Sequence, residues 1–352
     1  MDILKKLREE FGITQSQAEN TVRLLDEGNT VPFITRYRKE MTGSLDDQII
    51  RQLSERLTAL RNLEDRRTQV RTAISEQGRL TDALAAKLDA AQTQTEIEDI
   101  YRPFRPKRRT RASIAKEKGL QPLADIIWGQ KLIGTPEEAA KAFVDSGQGV
   151  DTVLDAINGA MDILAEQISD DADLRKLLRE ETIKCGAIVS KKTKDEPSVY
   201  EMYYDYREPL KKAAGHRVLA MNRGEKEGFL SVTVLLDRGA ALPVLRRAAV
   251  KPGSAAMEFM KSACEDAYDR LIYPSLEREV RGALGERAAE GAIANFALNL
   301  KPLLMQPPVK GHVTMGLDPG YAHGCKVAVI DGTGKVLDTT VVYPTYGERQ
   351  KK

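Results

Sequence analysis

Histidine, cysteine and tryptophan are scarce in this chain: its 352 residues hold three, three and one of them. Cys185, Cys264 and Cys325 are an odd number and too widely spaced for a CxxC metal or redox pair, so they read as buried apolar thiols in a reducing compartment. His216, His312 and His323 form no HExxH pair, and His323 with Cys325 has no further ligand nearby, which argues against a histidine-based zinc site. Aromatic residues make up 5% of the chain, which suits aliphatic helix packing better than a β-sandwich. No uncharged apolar run approaches the ~18 residues of a membrane-spanning helix. The mixed-charge start MDILKKLREE has no signal-peptide core. The expected protein is cytoplasmic and monomeric, without a membrane partner. A phosphate loop of the GxxxxGK[ST] type is also missing, and residues 224–228 read as a turn whose acids would face any phosphate. No nucleophile, base and acid set is recognisable, and no cofactor is implied. The 54 basic against 52 acidic residues leave +2, which excludes both a globally basic binder and an acidic tail. Any charge preference must therefore be local.

What is abundant is helical periodicity. Ile3, Leu4, Leu7 and Phe11 lie on one stripe, Gly12 stops it, and Thr14 with Gln17 makes a capping box for a second helix. This pair has helix-turn-helix proportions, which any αα-hairpin shares. Over residues 44–78, Ile49, Leu53, Leu57, Leu60 and Leu63 predict one long helix of about 45–50 Å that braces two lobes. Shorter helices follow Thr81 and cover 96–100, 136–144, 151–168, 172–189, 216–222, 255–272 and 275–300, the last with a break near 282–285. Residues 191–197 read as a polar linker and 230–235 as a strand. Prolines 302, 307 and 308 mark a linker into β-branched runs at 313–317, 326–330 and 336–343. The expected fold class is mainly α: an elongated multi-helix scaffold with helix-turn-helix-like hairpins and a small β insertion. Its domains are residues 1–190, 191–309 and 310–352, and three strands alone are barely a domain.

Two segments combine cations with aromatic rings. Residues 101–111, YRPFRPKRRTR, hold six basic residues in eleven and no acid, and the prolines predict an extended backbone. Arg102, Arg105, Lys107, Arg108, Arg109 and Arg111 then read as phosphate contacts, with Tyr101 and Phe104 stacking on bases. The other reading is that these arginines cap acidic helix faces such as Glu96, Glu98 and Asp99, with the aromatics packed under the loop. Residues 33–39 are a weaker version, adding Arg36, Arg38 and Lys39 as nucleic-acid contacts, although here the alternation fits core packing equally. A third feature is Asp318 in Met315-Gly-Leu-Asp-Pro-Gly320, at the end of a strand where ribonuclease-H-type folds place their first metal-binding carboxylate. Two-metal chemistry needs two to four convergent acids, and only Asp331, Asp338 and Glu348 follow. Asp318 therefore reads first as an aspartate capping its own turn and only secondarily as a metal ligand.

Four blocks carry a family resemblance: residues 31–40 (VPFITRYRKE) with Thr42-Gly43, 97–111 (IEDIYRPFRPKRRTR), 216–228 (HRVLAMNRGEKEG) and 316–326 (GLDPGYAHGCK). In this order they make the chain resemble the Tex-type bacterial transcription accessory proteins. The resemblance implies an N-terminal helical region leading into a YqgF-type domain of ribonuclease-H fold, with which this chain ends incompletely, like a piece of a protein about twice as long. It implies a non-catalytic scaffold that contacts RNA or DNA and docks to the transcription machinery, RNA polymerase included. The family's helix-hairpin-helix region and C-terminal OB-fold RNA-binding domain lie beyond it. Ala322 and His323 stand where the family usually has an arginine and a threonine. Two other functions stay open at this point, a resolvase-type nuclease centred on Asp318 and a pure protein-docking scaffold using the charged faces of the 44–78 helix.

Overall fold

The computed structural model describes residues 2–106, 109–306, 311–320 and 324–343. They are mainly helical, with two small antiparallel sheets. The chain divides into two compact units, Met1–Leu284 and Gly285–Lys352.

The first unit opens with α1 (Ile3–Phe11), α2 (Gln15–Asp26), α3 (Val31–Tyr37) and α4 (Asp47–Glu76). Gly12 takes a left-handed φ of 62° that ends α1, and the predicted capping box forms between Thr14 and Gln17. α4 is the predicted long helix, about 45 Å at 1.5 Å per residue. Its apolar stripe is divided between separate clusters. Leu53, Leu57 and Leu60 pack with Leu7 of α1, and Ile50 joins Leu24 and Ile34. Leu63, Val70 and Ile74 instead meet α5 (Asp82–Ala90) and α6 (Gln94–Tyr101) through Leu88 and Ile97. Arg67 interrupts the stripe, yet is only 2% exposed. It donates to the carbonyls of Leu88 at 2.9 Å and Ala91 at 2.7 Å, adding to the Ala91 amide in closing the end of α5.

The largest core belongs to α7 (Arg111–Glu117), α8 (Gln121–Gly129), α9 (Pro136–Ala140), α10 (Val153–Ser169) and α11 (Ala172–Cys185), closed by later helices. α10 runs through its middle, burying Ala156, Ala160, Ile163, Leu164 and Ile168. Gly159 lets α10 approach α7 and α8, because a Cβ there would overlap Leu120 and crowd Ala115. The chain then forms β1 (Ala187–Lys192), β2 (Asp205–Pro209), α12 (Gly215–Lys226) and β3 (Leu230–Leu235), with strand order β2-β1-β3. Sequence periodicity carries a helix from 172 to Val189, but α11 stops at Cys185 and Val189 lies in the central strand. The expected linker at 191–197 begins with the last two residues of that strand. Residues 224–226, expected as a turn, complete α12.

α13 (Arg238–Ala249), α14 (Met257–Asp266) and α15 (Tyr273–Leu304) follow. α13 has no counterpart among the expected helices because Pro243 sits inside it. Between α14 and α15 the helix widens into a π turn, Ala267–Ile272, where the Tyr273 amide reaches the Tyr268 carbonyl. Pro274, one residue on, has no N–H to continue the ordinary i to i−4 pattern. α15 passes through Gly282 and Gly285 without the expected break and ends around Pro302. The second unit adds β4 (Thr314–Asp318), β5 (Cys325–Ile330) and β6 (Val336–Val342) in sequential antiparallel order, the predicted meander.

Buried charge joins α6, α11 and the start of α15. Asp99, 6% exposed, accepts from Arg175 at 2.7 Å and Arg179 at 2.5 Å. Arg175 also donates to Ser275 at 3.0 Å, and Arg179 forms a second ion pair with Glu279. Replacing Asp99 by alanine leaves two guanidinium groups facing each other without their shared carboxylate. The expected loss is about 3–5 kcal/mol, read as a lower urea midpoint.

Two outer pairs behave differently. Arg56 grips Glu10 at 2.6 and 2.7 Å, and Arg61 grips Asp26 at 2.6 and 2.9 Å, tying α1 and α2 to α4. These hydrogen bonds hold both carboxyls below their ordinary values of 4.5 and 3.8. A depressed folded-state pKa stabilises above the unfolded-state value, and the contribution is lost as pH falls through the folded one. The double variant Arg56→Gln/Arg61→Gln should be about 1 kcal/mol less stable than the parent at pH 7, since both pairs are partly exposed. That gap should narrow steadily between about pH 5 and 3, which urea titrations at several pH values measure directly.

Candidate nucleic-acid interface

The basic run links α6 to α7. Its backbone is not extended throughout: Arg102–Phe104 continues α6 as a 3-10 turn, with the Arg105 amide bonded to the Tyr101 carbonyl at 3.1 Å. The proline at 103 falls at the first turn of that element, where a missing N–H costs nothing, so it permits the turn instead of forbidding it. Thr110 caps α7 through a box with Ser113, and Arg111 is the first helical residue. Lys107 and Arg108 lie outside the described residues.

The first two expected phosphate contacts have internal partners. Arg102 sits 3.3 Å from Asp170, and burial together with the charge of Arg175 lowers its pKa despite that pair. Arg105 is paired with Glu98, which also receives Arg66 at 2.5 Å. The two aromatics are covered as well. Arg66 and Arg105 lie 5.6 and 5.8 Å from the Tyr101 ring centre, and Arg79 lies 4.8 Å from that of Phe104. Both rings pack against the cluster of Leu63, Val70, Ile74 and Ile97. Arg109 is different: it is largely exposed and reaches Glu117 only at 3.8 Å. Arg111 is exposed on the first turn of α7. Its charge acts to lower the pKa of Asp162, which burial nevertheless raises overall. A cleft of about 550 Å³ opens beside the link, lined by Arg79, Arg105, Lys116, Trp128, Glu166 and Asp170.

The weaker segment is a helix. Thr30 precedes it, Pro32 occupies its first turn, and Ile34 is fully buried, so α3 turns one face to the core and the rest outward. Arg36, Arg38 and Lys39 are exposed and have no carboxylate within 4.0 Å among the described residues. Arg51, on the first turns of α4, shares this property, and neither composition nor motif singles it out. The signal that finds it is spatial, since its neighbours in sequence are ordinary helix residues.

The arginines of α4 are largely committed. Arg56, Arg61, Arg66, Arg67 and Arg71 each pair with a carboxylate of α1, α2, α6, α4 or α5.

Asp318 ends β4, exposed and in register with Lys326 of β5. Asp338 is in register with Val329, three residues along, so the two carboxylates lie on opposite faces of the sheet. Asp331 sits past the far end of β5, about 16 Å along the strand from Lys326. It accepts from Thr333 and Lys335 amides at 2.8 and 3.0 Å and from the Thr333 hydroxyl at 2.6 Å, contacts that hold its carboxyl below the usual range. Among the described residues no three His, Cys, Asp or Glu side chains converge on a metal position. Ala322, His323 and Glu348 lie outside those residues. None of the described helices is long and apolar enough to cross a membrane.

Comparison with known proteins places three family models along the chain in order. They are the Tex-like protein N-terminal domain over residues 1–75, the Tex central region-like model over 133–296 and the Tex protein YqgF-like domain over 312–352. The uncharacterized protein YdcI of Bacillus subtilis is 46% identical over 345 residues, covering 97% of this chain and 48% of that protein. The transcriptional accessory protein Tex of Neisseria gonorrhoeae is 41% identical over 357 residues, covering 97% and 46%. The human S1 RNA-binding domain-containing protein 1 is 31% identical over 366 residues, covering 99% and 36%. The chain thus spans about half the length, or less, of the curated relatives it matches. With its helical N-terminal and central regions and its final β-meander each matched in turn, the chain belongs to the Tex-like family.

Proposed function

We propose that this chain is a cytoplasmic, non-catalytic scaffold of the transcription machinery that contacts the phosphates of RNA or DNA. The observation that carries the reading is the distribution of available cations. Arg36, Arg38 and Lys39 stand exposed without carboxylate partners among the described residues, and Arg109 and Arg111 are exposed at the start of α7. Exposed point charges with no internal partner, or with only a long one as for Arg109 and Glu117, are the ones able to displace counterions from a phosphate backbone. Arg102 and Arg105 take a supporting part, holding the start of the α6–α7 link against Asp170 and Glu98. Relatives named as a transcriptional accessory protein and as an S1 RNA-binding domain-containing protein support the same class of function. Docking to polymerase belongs to this reading as well. The charged faces of α4 are a poor candidate for it, since all of their arginines except Arg51 are neutralised within the fold.

A metal-dependent nuclease is disfavoured by the placement of Asp318, Asp331 and Asp338 at different ends and faces of one small sheet. The purified chain with magnesium or manganese should leave supercoiled DNA and labelled RNA intact, and Asp318→Asn should bind nucleic acid as the parent does. Nicking by the parent and not by the variant would establish the nuclease reading instead.

Fluorescence titration of RNA and DNA at two salt concentrations tests the main reading. Changing Arg36, Arg38, Lys39, Arg109 and Arg111 together to glutamine should weaken binding uniformly across sequences. It should also flatten the salt slope by roughly 0.7–0.9 for each phosphate that is no longer neutralised. Arg102→Gln should mainly lower the thermal midpoint, by about 1–2 kcal/mol of stability, because it removes a half-buried cation from beside the Asp170 carboxylate.

A further inference from the structure

The sheet β2-β1-β3 has two edges, and the fold treats them differently. Between β1 and β3 the Thr193 amide bonds to the Phe229 carbonyl, so alternation along the ladder turns Leu230, Val232 and Val234 outward. Side chains close that edge. The Val232 amide donates to Glu225 of α12 at 2.9 Å and the Val234 amide to Glu277 of α15 at 3.2 Å, while the Val234 carbonyl accepts from the Tyr273 hydroxyl at 3.1 Å. Arg281 holds Glu225 in place at 2.6 Å. On the opposite edge the Lys192 amide reaches the Tyr204 carbonyl and the Leu210 amide the Gly186 carbonyl, which leaves Asp205, Arg207 and Pro209 of β2 facing out. Among the described residues nothing bonds to the outward amides and carbonyls of Asp205 and Arg207, and both residues are exposed. Natural sheets close or blunt such edges, as β3 does here.

Charge is graded along the open edge. Asp205 stands at its start, Arg207 follows on the same face, and Lys211 and Lys212 lie just beyond in the 3-10 turn Leu210–Lys212. All four are exposed and have no ion-pair partner within 4.0 Å among the described residues. Glu208, on the other face, is taken by Arg217. An extended peptide is the ligand that uses both the free main chain and the charges. In antiparallel addition, the residues opposite Asp205 and Arg207 exchange main-chain bonds with them and set their side chains on the same face. We propose that β2 is a docking edge for an extended, acidic segment of a partner protein. The segment adds as a further antiparallel strand, with acidic side chains toward Arg207, Lys211 and Lys212 and a basic one toward Asp205. A folded second copy gains too little here, since two outward residues fall far short of the roughly 1,000 Å² that a stable interface buries. This docking does not depend on the phosphate-binding reading, and either can fail without the other.

The test titrates the fluorescein-labelled peptide EVEVEVKV against the chain, beside the reversed peptide VKVEVEVE and two N-methylated forms of the first. Methylating its glutamate amides, which face β2, should abolish binding, whereas methylating its valine amides, which face away, should leave it within about twofold. The reversed peptide, which brings its lysine to the basic end, should bind about fivefold more weakly. Arg207→Gln should weaken binding about threefold through lost charge. Arg207→Pro, which also removes the outward N–H, should weaken it about tenfold or more. Its circular dichroism melt should match the parent, because an edge strand tolerates proline where the N–H faces solvent. The peptide forms test main-chain pairing in the unaltered protein, whatever the proline does to folding. Equal binding of all four peptides would reduce the contact to charge and overturn strand addition. Loss on valine methylation alone would overturn the antiparallel acidic register. Binding of none of them by the parent would overturn the docking edge. With the peptides ignored, a parent dimer in sedimentation that Arg207→Pro dissociates would overturn the proposal in favour of a second copy. Binding of a 12-mer RNA that is lost in Lys211→Gln/Lys212→Gln, again with the peptides ignored, would overturn it in favour of nucleic acid.

Discussion

Asp99 sits where two positive charges need a common counterion. Arg175 and Arg179 project from successive turns of α11, and Asp99 together with the more exposed Glu279 supplies the negative charge that their burial requires. Because Asp99 belongs to α6, this demand fixes α6 against α11, and through Glu279 and Ser275 it fixes both against the start of α15. The basic link to α7 begins with the residue after α6, so its starting position and direction are set by the same contacts. Arg102 is drawn toward the cluster through Asp170, which adds a third guanidinium to one region.

That constraint changes what the most basic stretch of the chain can do. A run of six cations looks, as a string, like a continuous phosphate-binding strip. Folded, it is divided by function: its first arginines anchor the link, its aromatics lie beneath arginines from α4 and the following turn, and Arg109 and Arg111 are exposed. Charge density in sequence is therefore a poor measure of free charge in space. The α3 segment shows the converse, with fewer cations but none tied to a carboxylate among the described residues.

The same separation governs the acidic residues of the final meander. Three aspartates lie within 21 positions of one another, close enough in sequence to invite a metal site. Antiparallel register sends Asp318 and Asp338 to opposite faces, and the hairpin takes Asp331 for its own amides. Pleating, which has a period of two, is what keeps them apart.

Local physics made much of the architecture legible in the sequence. The Thr14–Gln17 box, the left-handed glycine at 12, the apolar stripe of α4 and the strand at 230–235 all depend on residues within one or two turns of each other, and periodicity finds them. The misreadings fall where a proline or glycine sits inside an element, at 103, 224, 243, 274, 282 and 285, or where a helix gives way to a strand without a strong breaker, at 185–187. For the candidate interface, sequence composition named the cations and the family resemblance named their context. Which of those cations are free was decided only by the tertiary structure. An arginine's availability depends on carboxylates that are often dozens of residues away, such as Asp170 for Arg102, and on clefts, such as that holding Arg51, whose two walls come from different helices.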